Sequence, residues 1–156
     1  MPIKKGDKAP DFTLYSSEKE QVSLHAHKGQ NVLLLFFPLA FSSVCTKEMC
    51  LLRDDLATYE GFDAKVLAIS VDSPYTLEKF KEERSLNFTL LSDFNKEVSR
   101  IYDSIYDKFA YGMKGVSKRS AFVIDKSGII RYAEILKSPG DLPDFDGIRE
   151  TLSKLN

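Results

Sequence analysis

Continuous apolar runs alternate with amphipathic stretches along the chain. The runs NVLLLFF, which begins at Asn31, and AKVLAISVD, over residues 64–72, are typical of strands buried on both faces of a sheet. Between them, residues 44–59 carry apolar side chains at helical spacing, and Gly61 can end the helix that this pattern predicts. The pattern therefore predicts a strand, a helix and a second buried strand in succession.

Turn and capping signals divide the rest of the chain into further elements. Proline is tolerated in the first turn of a helix, so Ser73-Pro74 opens the next helix, and Lys126-Ser127-Gly128 is a turn between two apolar strands. The predicted elements are a hairpin within residues 11–24, a helix over 73–84, a strand over 88–93, a short helix over 96–102, a hairpin of strands 120–125 and 128–135, and a helix over 144–155. This order predicts a three-layer α/β fold, in which helices flank a central mixed β-sheet with an N-terminal β-hairpin extension. The sheet is expected to be mainly parallel, with an antiparallel portion from the hairpin of strands 120–125 and 128–135.

Composition limits the classes of partner that the protein can have. The 156 residues suit one domain over residues 1–156, and the net charge of -1 gives no reason to expect nucleic acid or an anionic membrane as partner. The longest apolar run, residues 32–41, contains Pro38 and is too short to span a bilayer. The basic N-terminus has no apolar segment of the kind that a signal peptide needs, so a cytoplasmic location is expected.

The two cysteines of the chain, Cys45 and Cys50, both lie just after the first buried run. Two cysteines are too few for a disulfide framework, and in a reducing compartment such a pair favours catalysis, redox chemistry or metal binding. Ser42 or Ser43 offers an N-cap, which places Cys45 in the first helical turn, where unpaired N–H groups and the helix dipole favour a thiolate. The alternative is that Cys45 is a small buried apolar residue.

The spacing of the two cysteines restricts how they can react with each other. On an ideal helix, residues five positions apart have Cα atoms ~8.6 Å apart, beyond the ~7 Å that a disulfide bridges without backbone movement. A Cys45–Cys50 bond would therefore require the helix to unwind locally. A Cys50 without any chemistry, as an ordinary residue of the helix surface, is the other interpretation.

Other chemistries find little support in the sequence. Cys45, Cys50, His25 and His27 could in principle bind a metal, but their spacing is not one that zinc sites use, and we expect neither metal nor cofactor. No phosphate-binding or serine-hydrolase motif is present. Arg119 precedes a buried strand and could bring a cation to a thiolate, although the residues alone favour a solvent-exposed arginine at a strand end.

Several segments resemble those of one known family. PLAFSSVC resembles the peroxiredoxin signature Pro-x-x-x-Thr/Ser-x-x-Cys, with Pro38, Ser42 and Cys45 at its fixed positions. The segments KAPDFTL, LAISVDS, FTLLSDF and RSAFVIDKSGIIRYAE follow in peroxiredoxin order and extend the resemblance over almost the whole chain. The chain is most similar to the bacterioferritin comigratory (peroxiredoxin Q) group and the alkyl hydroperoxide reductase E group.

This resemblance implies a thioredoxin-like fold and an antioxidant, thiol-dependent peroxidase that reduces hydrogen peroxide and organic hydroperoxides. It implies that Cys45 is the peroxidatic cysteine, which peroxide oxidises to a sulfenic acid. The resemblance implies that the Ser42 hydroxyl binds peroxide and sulfur, that Arg119 holds the thiolate, and that Pro38 excludes water. It also implies that Glu48 orients the arginine and that the N–H groups of Val44 and Cys45 donate to peroxide. Serine at position 42 replaces the commoner threonine and lacks its methyl contact.

The resemblance also implies how the enzyme is recycled. Cys50 stands where many members carry the resolving cysteine, which implies an intramolecular disulfide with Cys45 that thioredoxin, a glutaredoxin-like protein or another thiol reductant reduces. The alternatives are a one-cysteine peroxidase that uses an external thiol and a non-enzymatic redox sensor or holdase. A thioredoxin-type disulfide oxidoreductase is disfavoured because the chain lacks Cys-x-x-Cys. Related proteins are monomers or homodimers, and both states stay open.

Overall fold

Seven strands form one mixed β-sheet in the computed structural model, which describes residues 3–155. The strands are β1 (Thr13–Ser16), β2 (Gln21–Ser23), β3 (Asn31–Phe36), β4 (Ala64–Ser70), β5 (Thr89–Ser92), β6 (Ser120–Ile124) and β7 (Ile130–Ile135). The helices are α1 (Ser43–Asp54), α2 (Leu56–Gly61), α3 (Pro74–Arg84), α4 (Glu97–Ile101) and α5 (Phe145–Lys154). The strand order across the sheet is β2-β1-β5-β4-β3-β6-β7.

Strand β3 lies at the centre of this arrangement. It pairs in parallel with β4 and antiparallel with β6, and all six of its residues are buried. Strand β5 continues the parallel part, while β1, β2 and β7 add antiparallel edges. The prediction of a mainly parallel sheet is therefore wrong, because both hairpins join the sheet through antiparallel pairs. The prediction of a strand buried on both faces is confirmed for β3, as expected for a sheet that is covered on both sides.

Alternate side chains of the central strands form two cores, one on each face of the sheet. On one face, Leu33 and Leu35 of β3 pack in a cluster with apolar residues of α1, α2, α3 and α5. On the other face, Leu34 and Phe36 belong to a cluster with Val98 of α4 and with the N-terminal segment. These layers confirm the predicted three-layer arrangement and leave α1 with its apolar side, including Cys45, against the sheet.

Both predicted hairpins are present. The pair β1–β2 forms the N-terminal hairpin and joins the sheet through β5, and β6–β7 forms the second hairpin. The turn of the second hairpin contains Gly128 at a φ of 87°, a left-handed conformation that glycine adopts without steric cost. Local patterns and turn residues were sufficient to predict both structures.

The single helix predicted over residues 44–59 is wrong, because the structure contains two helices that are separated at Asp55. Asp55 has φ -115° and ψ 14°, outside the helical region, and it ends α1 and precedes α2. Its carboxylate accepts a hydrogen bond from the Thr58 hydroxyl at 2.7 Å, and its carbonyl accepts from the Thr58 N–H. Aspartate side chains compete in this way with the hydrogen bonds of the helix, which ends α1 at this residue. The periodic apolar pattern continues on both sides of Asp55 and therefore does not reveal the break.

Candidate active site

The loop from β3 to α1 is held against the neighbouring strand β4. The Phe37 N–H donates to the Ile69 carbonyl at 2.9 Å, and buried Pro38 follows directly. The Ala40 N–H then donates to Oδ2 of Asp72 at 2.7 Å. The next residue, Phe41, has a φ of 69°, which is a strained conformation for an aromatic residue. These bonds fix the path by which the chain enters α1.

Of the two serines predicted as possible N-caps, Ser42 and Ser43, the structure has Ser42 as the N-cap residue of α1. Its backbone is extended, with φ -70° and ψ 151°, and its carbonyl accepts from the N–H and the hydroxyl of Thr46. Its own hydroxyl donates to the Leu39 carbonyl at 2.7 Å, and among the described residues it makes no capping bond to the helix. Helix geometry leaves the N–H groups of Val44 and Cys45 without intrahelical acceptors, so they are available to a ligand.

Cys45 lies in this first turn with its side chain fully buried. Nη2 of Arg119 donates a hydrogen bond to the Cys45 sulfur at 3.3 Å. Arg119 directly precedes β6 and is only 1% exposed, so the interpretation as a solvent-exposed strand-end arginine is wrong. The guanidinium also donates from Nη2 and Nε to the Pro139 carbonyl, at 2.9 and 3.2 Å, so a backbone acceptor helps to hold it inside the protein.

Glu48 completes this buried cluster from the same face of α1. Its Oε1 accepts from Nη1 of Arg119 at 2.5 Å, while its Oε2 is buried and has no hydrogen-bond partner among the described residues. Burial raises the pKa of Glu48 to about 7, against the opposing effect of the arginine. Burial alone would lower the pKa of Arg119, but Glu48 and Cys45 outweigh it and raise that pKa.

Cys50 is half-buried and, like Cys45, is a free thiol. Both cysteines lie within the continuous helix α1, so the helical separation of ~8.6 Å between their Cα atoms applies. The structure therefore represents a state in which the two sulfurs cannot bond without a backbone change.

The predicted site residues fall into three groups. Cys45, Glu48 and Arg119 are in direct contact, and Pro38 and Ser42 lie in the loop that leads to the same helix. Cys50 lies further along α1. The histidines belong elsewhere: Nδ1 of His25 pairs with Asp11 at 2.7 Å. Within residues 3–155, no group of three or more metal-binding side chains converges, and no helix of that part is long and apolar enough to cross a membrane.

Two groups that hold the site in place, the Asp72 carboxylate and the Pro139 carbonyl, were not predicted from the sequence. The first is Asp72, which holds the Ala40 N–H and also accepts from the Ser70 hydroxyl at 2.6 Å. Its position directly after a buried strand, beside Ser73-Pro74, is the only signal that the sequence offers. The second is the Pro139 carbonyl, and a backbone acceptor of this kind leaves no signal in the residue types.

The fold and the buried cysteine–arginine pair define the class of protein. The model of the AhpC/TSA family matches residues 5–133, which is most of the chain. The chain therefore belongs to the AhpC/TSA family of peroxiredoxins, with a thioredoxin-like fold and the activity of a thiol-dependent peroxidase.

Individual relatives agree with this assignment. The chain is 43% identical to alkyl hydroperoxide reductase E of Mycobacterium tuberculosis over 142 residues, covering 89% of each protein. It is 39% identical to peroxiredoxin Bcp of Escherichia coli over 133 residues, covering 84% of this chain and 85% of the relative. The crystal structure of peroxidoxin BcpB from Mycobacterium tuberculosis superimposes with a TM-score of 0.86 at 28% identity, covering 99% of both chains. The resemblance to both groups that the sequence motifs indicated is confirmed.

Proposed function

We propose that Cys45 is the peroxidatic cysteine and that Arg119 is the cation that sustains its reactive form. The hydrogen bond of 3.3 Å from Nη2 of Arg119 to the Cys45 sulfur carries this proposal. A buried guanidinium in contact with sulfur favours the thiolate, which is the nucleophilic form of cysteine. The position of Cys45 in the first turn of α1 adds the helix dipole to the same effect.

In the proposed reaction the thiolate attacks one oxygen of the peroxide, and the O–O bond breaks as the S–O bond forms. Cys45 becomes a sulfenic acid, and the departing oxygen carries away the electron pair and takes up a proton to leave as water or an alcohol. Charge therefore moves from sulfur to oxygen during the step. Arg119 and the N–H groups of Val44 and Cys45 are fixed donors that stabilise this charge without having to reorient.

Ser42 and Pro38 have supporting roles in this proposal. The single hydroxyl proton of Ser42 is committed to the Leu39 carbonyl, so its oxygen lone pairs are the part that can accept a hydrogen bond from a peroxide O–H. Pro38 is buried and has no N–H to attract water. The proline ring therefore helps to keep water from the sulfur. Because Cys45 has no exposed surface, the residues that cover it must move before peroxide can reach the sulfur.

The resolving step is proposed to use Cys50. The Cys50 thiol attacks the Cys45 sulfenic acid, a disulfide forms and water leaves. Since both thiols are free in the intact helix, the helix must unwind between them before they can bond. The same observation is compatible with a one-cysteine cycle in which an external thiol attacks the sulfenic acid, and that cycle is the second candidate.

The substrates and the reductant form the last part of the proposal. The name of the relative that is 43% identical, alkyl hydroperoxide reductase E, supports organic hydroperoxides as substrates beside hydrogen peroxide. A disulfide or sulfenic acid on α1 requires a thiol donor, and we propose thioredoxin or a similar dithiol protein. Such donors operate in the cytoplasm, where thiols are kept reduced.

Peroxide consumption in the presence of a thiol tests this function. The wild-type protein with thioredoxin and its reductase is expected to consume hydrogen peroxide and cumene hydroperoxide catalytically. Cys45→Ser should abolish consumption, whereas Cys50→Ser should retain turnover with a small thiol such as dithiothreitol. Full activity of Cys45→Ser, or the absence of peroxide consumption by the wild type with every thiol, would overturn the proposal.

A further inference from the structure

The buried cluster contains two acids for one cation. Arg119 donates to the sulfur of Cys45 through Nη2 and to the carboxylate of Glu48 through Nη1. All three side chains are almost completely shielded from solvent, with exposures of 0% for Cys45 and Glu48 and 1% for Arg119. A thiolate and a carboxylate together would leave one net negative charge in a dry site, which is costly. The two acids therefore compete for a single compensating charge.

The carboxyl group of Glu48 has one oxygen that is hydrogen-bonded and one that is not, among the described residues, which favours its protonated form. Its Oε1 is bonded to Arg119, but Oε2 has no partner within the part of the chain that the structure describes. A buried carboxylate oxygen without a donor is unfavourable, whereas a protonated Oε2 carries no full charge and can itself donate. Burial raises the pKa of Glu48 to about 7, which favours the protonated carboxyl group, in agreement with this geometry.

We propose that Glu48 holds the proton that Cys45 gives up and delivers it to the departing oxygen of the peroxide. This inference rests on the proposed function of Cys45 and extends it. Glu48 is the hydrogen-bond partner of Arg119, and in this proposal it stores a proton in addition to orienting the guanidinium. The site thus carries one proton between two acids, as a thiolate beside a neutral carboxylic acid.

The step balances without any group from outside the site. Before reaction the site holds the Cys45 thiolate and the Glu48 carboxylic acid. The sulfur donates an electron pair to one peroxide oxygen, the O–O bond breaks, and the other oxygen leaves with that bond's electron pair. The proton of Glu48 neutralises the departing oxygen, so the products are a Cys45 sulfenic acid, a Glu48 carboxylate, and water or an alcohol. When a thiol later regenerates Cys45, its proton returns to Glu48.

Other ionisable groups near the cluster do not replace Glu48 in this role. Tyr106 is one of these groups, and burial raises its pKa against the opposing effect of Arg119, while Asp141 and Cys45 raise it further, so this phenol stays neutral. The Tyr106 hydroxyl donates to the carbonyls of Leu136 and Lys137, at 3.5 and 3.3 Å. Asp141 is exposed and so is screened by water. Glu48 is the acid that touches the guanidinium.

Infrared difference spectroscopy tests the proposal directly. It is performed on Cys50→Ser, so that oxidation stops at the Cys45 sulfenic acid, with mass spectrometry to verify that product. The expected result near pH 7 is the loss of a protonated-carboxyl C=O band when one equivalent of hydrogen peroxide is added. The double variant Glu48→Gln, Cys50→Ser is the matched control, because its amide still accepts from Arg119 but holds no acidic proton, and it should show no such loss. Formation of sulfenic acid without loss of this band in Cys50→Ser would overturn the proposal.

The pH dependence of Cys45 oxidation gives a second readout, which a purely orienting role would not change. The rate in Cys50→Ser should fall as the pH rises through about 7, because Glu48 loses the proton that it delivers. In the Glu48→Gln control the fall should disappear, and the maximal rate should be lower by about 10²-fold. Identical profiles in the two proteins would contradict the inference. If sulfenic acid forms in neither protein, the proposed function itself fails, which is a different result.

Discussion

The guanidinium of Arg119 lies 3.3 Å from the sulfur of Cys45, although 74 residues separate the two in the sequence. The start of β6 and the first turn of α1 meet at this point, above the end of the central strand β3. A buried cation, a helix N-terminus and a thiol are thus brought together by the topology of the sheet. The proposed reactivity of Cys45 depends on this convergence.

Replacing Arg119 by lysine should reduce the second-order rate constant of Cys45 oxidation by about 10²-fold, the effect of losing one fixed donor at a reacting centre. Lysine keeps the charge but lacks the planar fork that contacts Cys45 and Glu48 together. Stopped-flow measurement with hydrogen peroxide gives the rate constant. A second variant, Arg119→Met, should also lower the free energy of unfolding by about 1–3 kcal/mol, because the buried carboxyl group of Glu48 loses its hydrogen-bond donor. A rate unchanged in Arg119→Lys would show that the guanidinium fork is not required.

Oxidation of the wild type by one equivalent of peroxide should yield a protein that has lost two hydrogens, with a Cys45–Cys50 disulfide. Because the intact helix α1 holds the sulfurs too far apart, far-ultraviolet circular dichroism should show less helix after oxidation. The matched control is Cys50→Ser, in which oxidation should leave the helix signal unchanged. A wild-type protein that accumulates a stable sulfenic acid would instead support the one-cysteine cycle.

Asp72 should control the loop that carries Pro38 and Ser42, since its carboxylate holds the Ala40 N–H at 2.7 Å. Asp72→Ala is expected to lower the free energy of unfolding by about 1–3 kcal/mol, because a partly buried donor loses its acceptor. The rate of Cys45 oxidation should fall with it, since the loop positions the proposed peroxide contacts. Asp72→Asn retains an acceptor oxygen and should lie close to the wild type in both measurements. If Asp72→Ala reacts at the wild-type rate, Asp72 does not position the loop.

The stability of the protein should depend on pH through Glu48. Burial raises its pKa in the folded state from 4.5 to about 7, so the folded state binds this proton more tightly than the unfolded state does. Its contribution to the free energy of unfolding is therefore complete below about pH 4.5 and is lost as the pH rises through about 7. Urea denaturation of the wild type and Glu48→Gln across this range measures the effect. The decline should be smaller in Glu48→Gln, and equal declines would mean that Glu48 titrates normally.

Those parts of the fold that depend on local patterns were predictable from the sequence. The apolar run of β3 and the turn at Gly128 each depend on residues close together in the chain, and so does the helix cap, which the sequence narrowed to Ser42 or Ser43. The break at Asp55 was not predicted, because helical periodicity continues on both sides of it while the aspartate bonds to Thr58. Periodicity describes which side chains face the core and does not register a change in backbone direction.

The contacts within the candidate site were predictable only through the family signature. Residue patterns alone favoured an exposed Arg119, and its burial depends on the distant Glu48 and on the Pro139 carbonyl. The bond from Ser42 to the Leu39 carbonyl depends on the path of the loop, which the sequence does not specify. Such contacts arise from tertiary structure, so they appear only when strands and helices are assembled.

The rate at which Cys45 reacts with peroxide tests the central claim most directly, and the chain supplies its own reference in Cys50. Stopped-flow measurements with hydrogen peroxide compare Cys50→Ser, which retains Cys45 alone, with Cys45→Ser, which retains Cys50 alone. Arg119 contacts only Cys45 of the two sulfurs among the described residues. With several fixed donors at that site, Cys45 should react at least about 10³-fold faster than Cys50. Equal rates for the two cysteines would contradict the assignment of Cys45 as the peroxidatic residue.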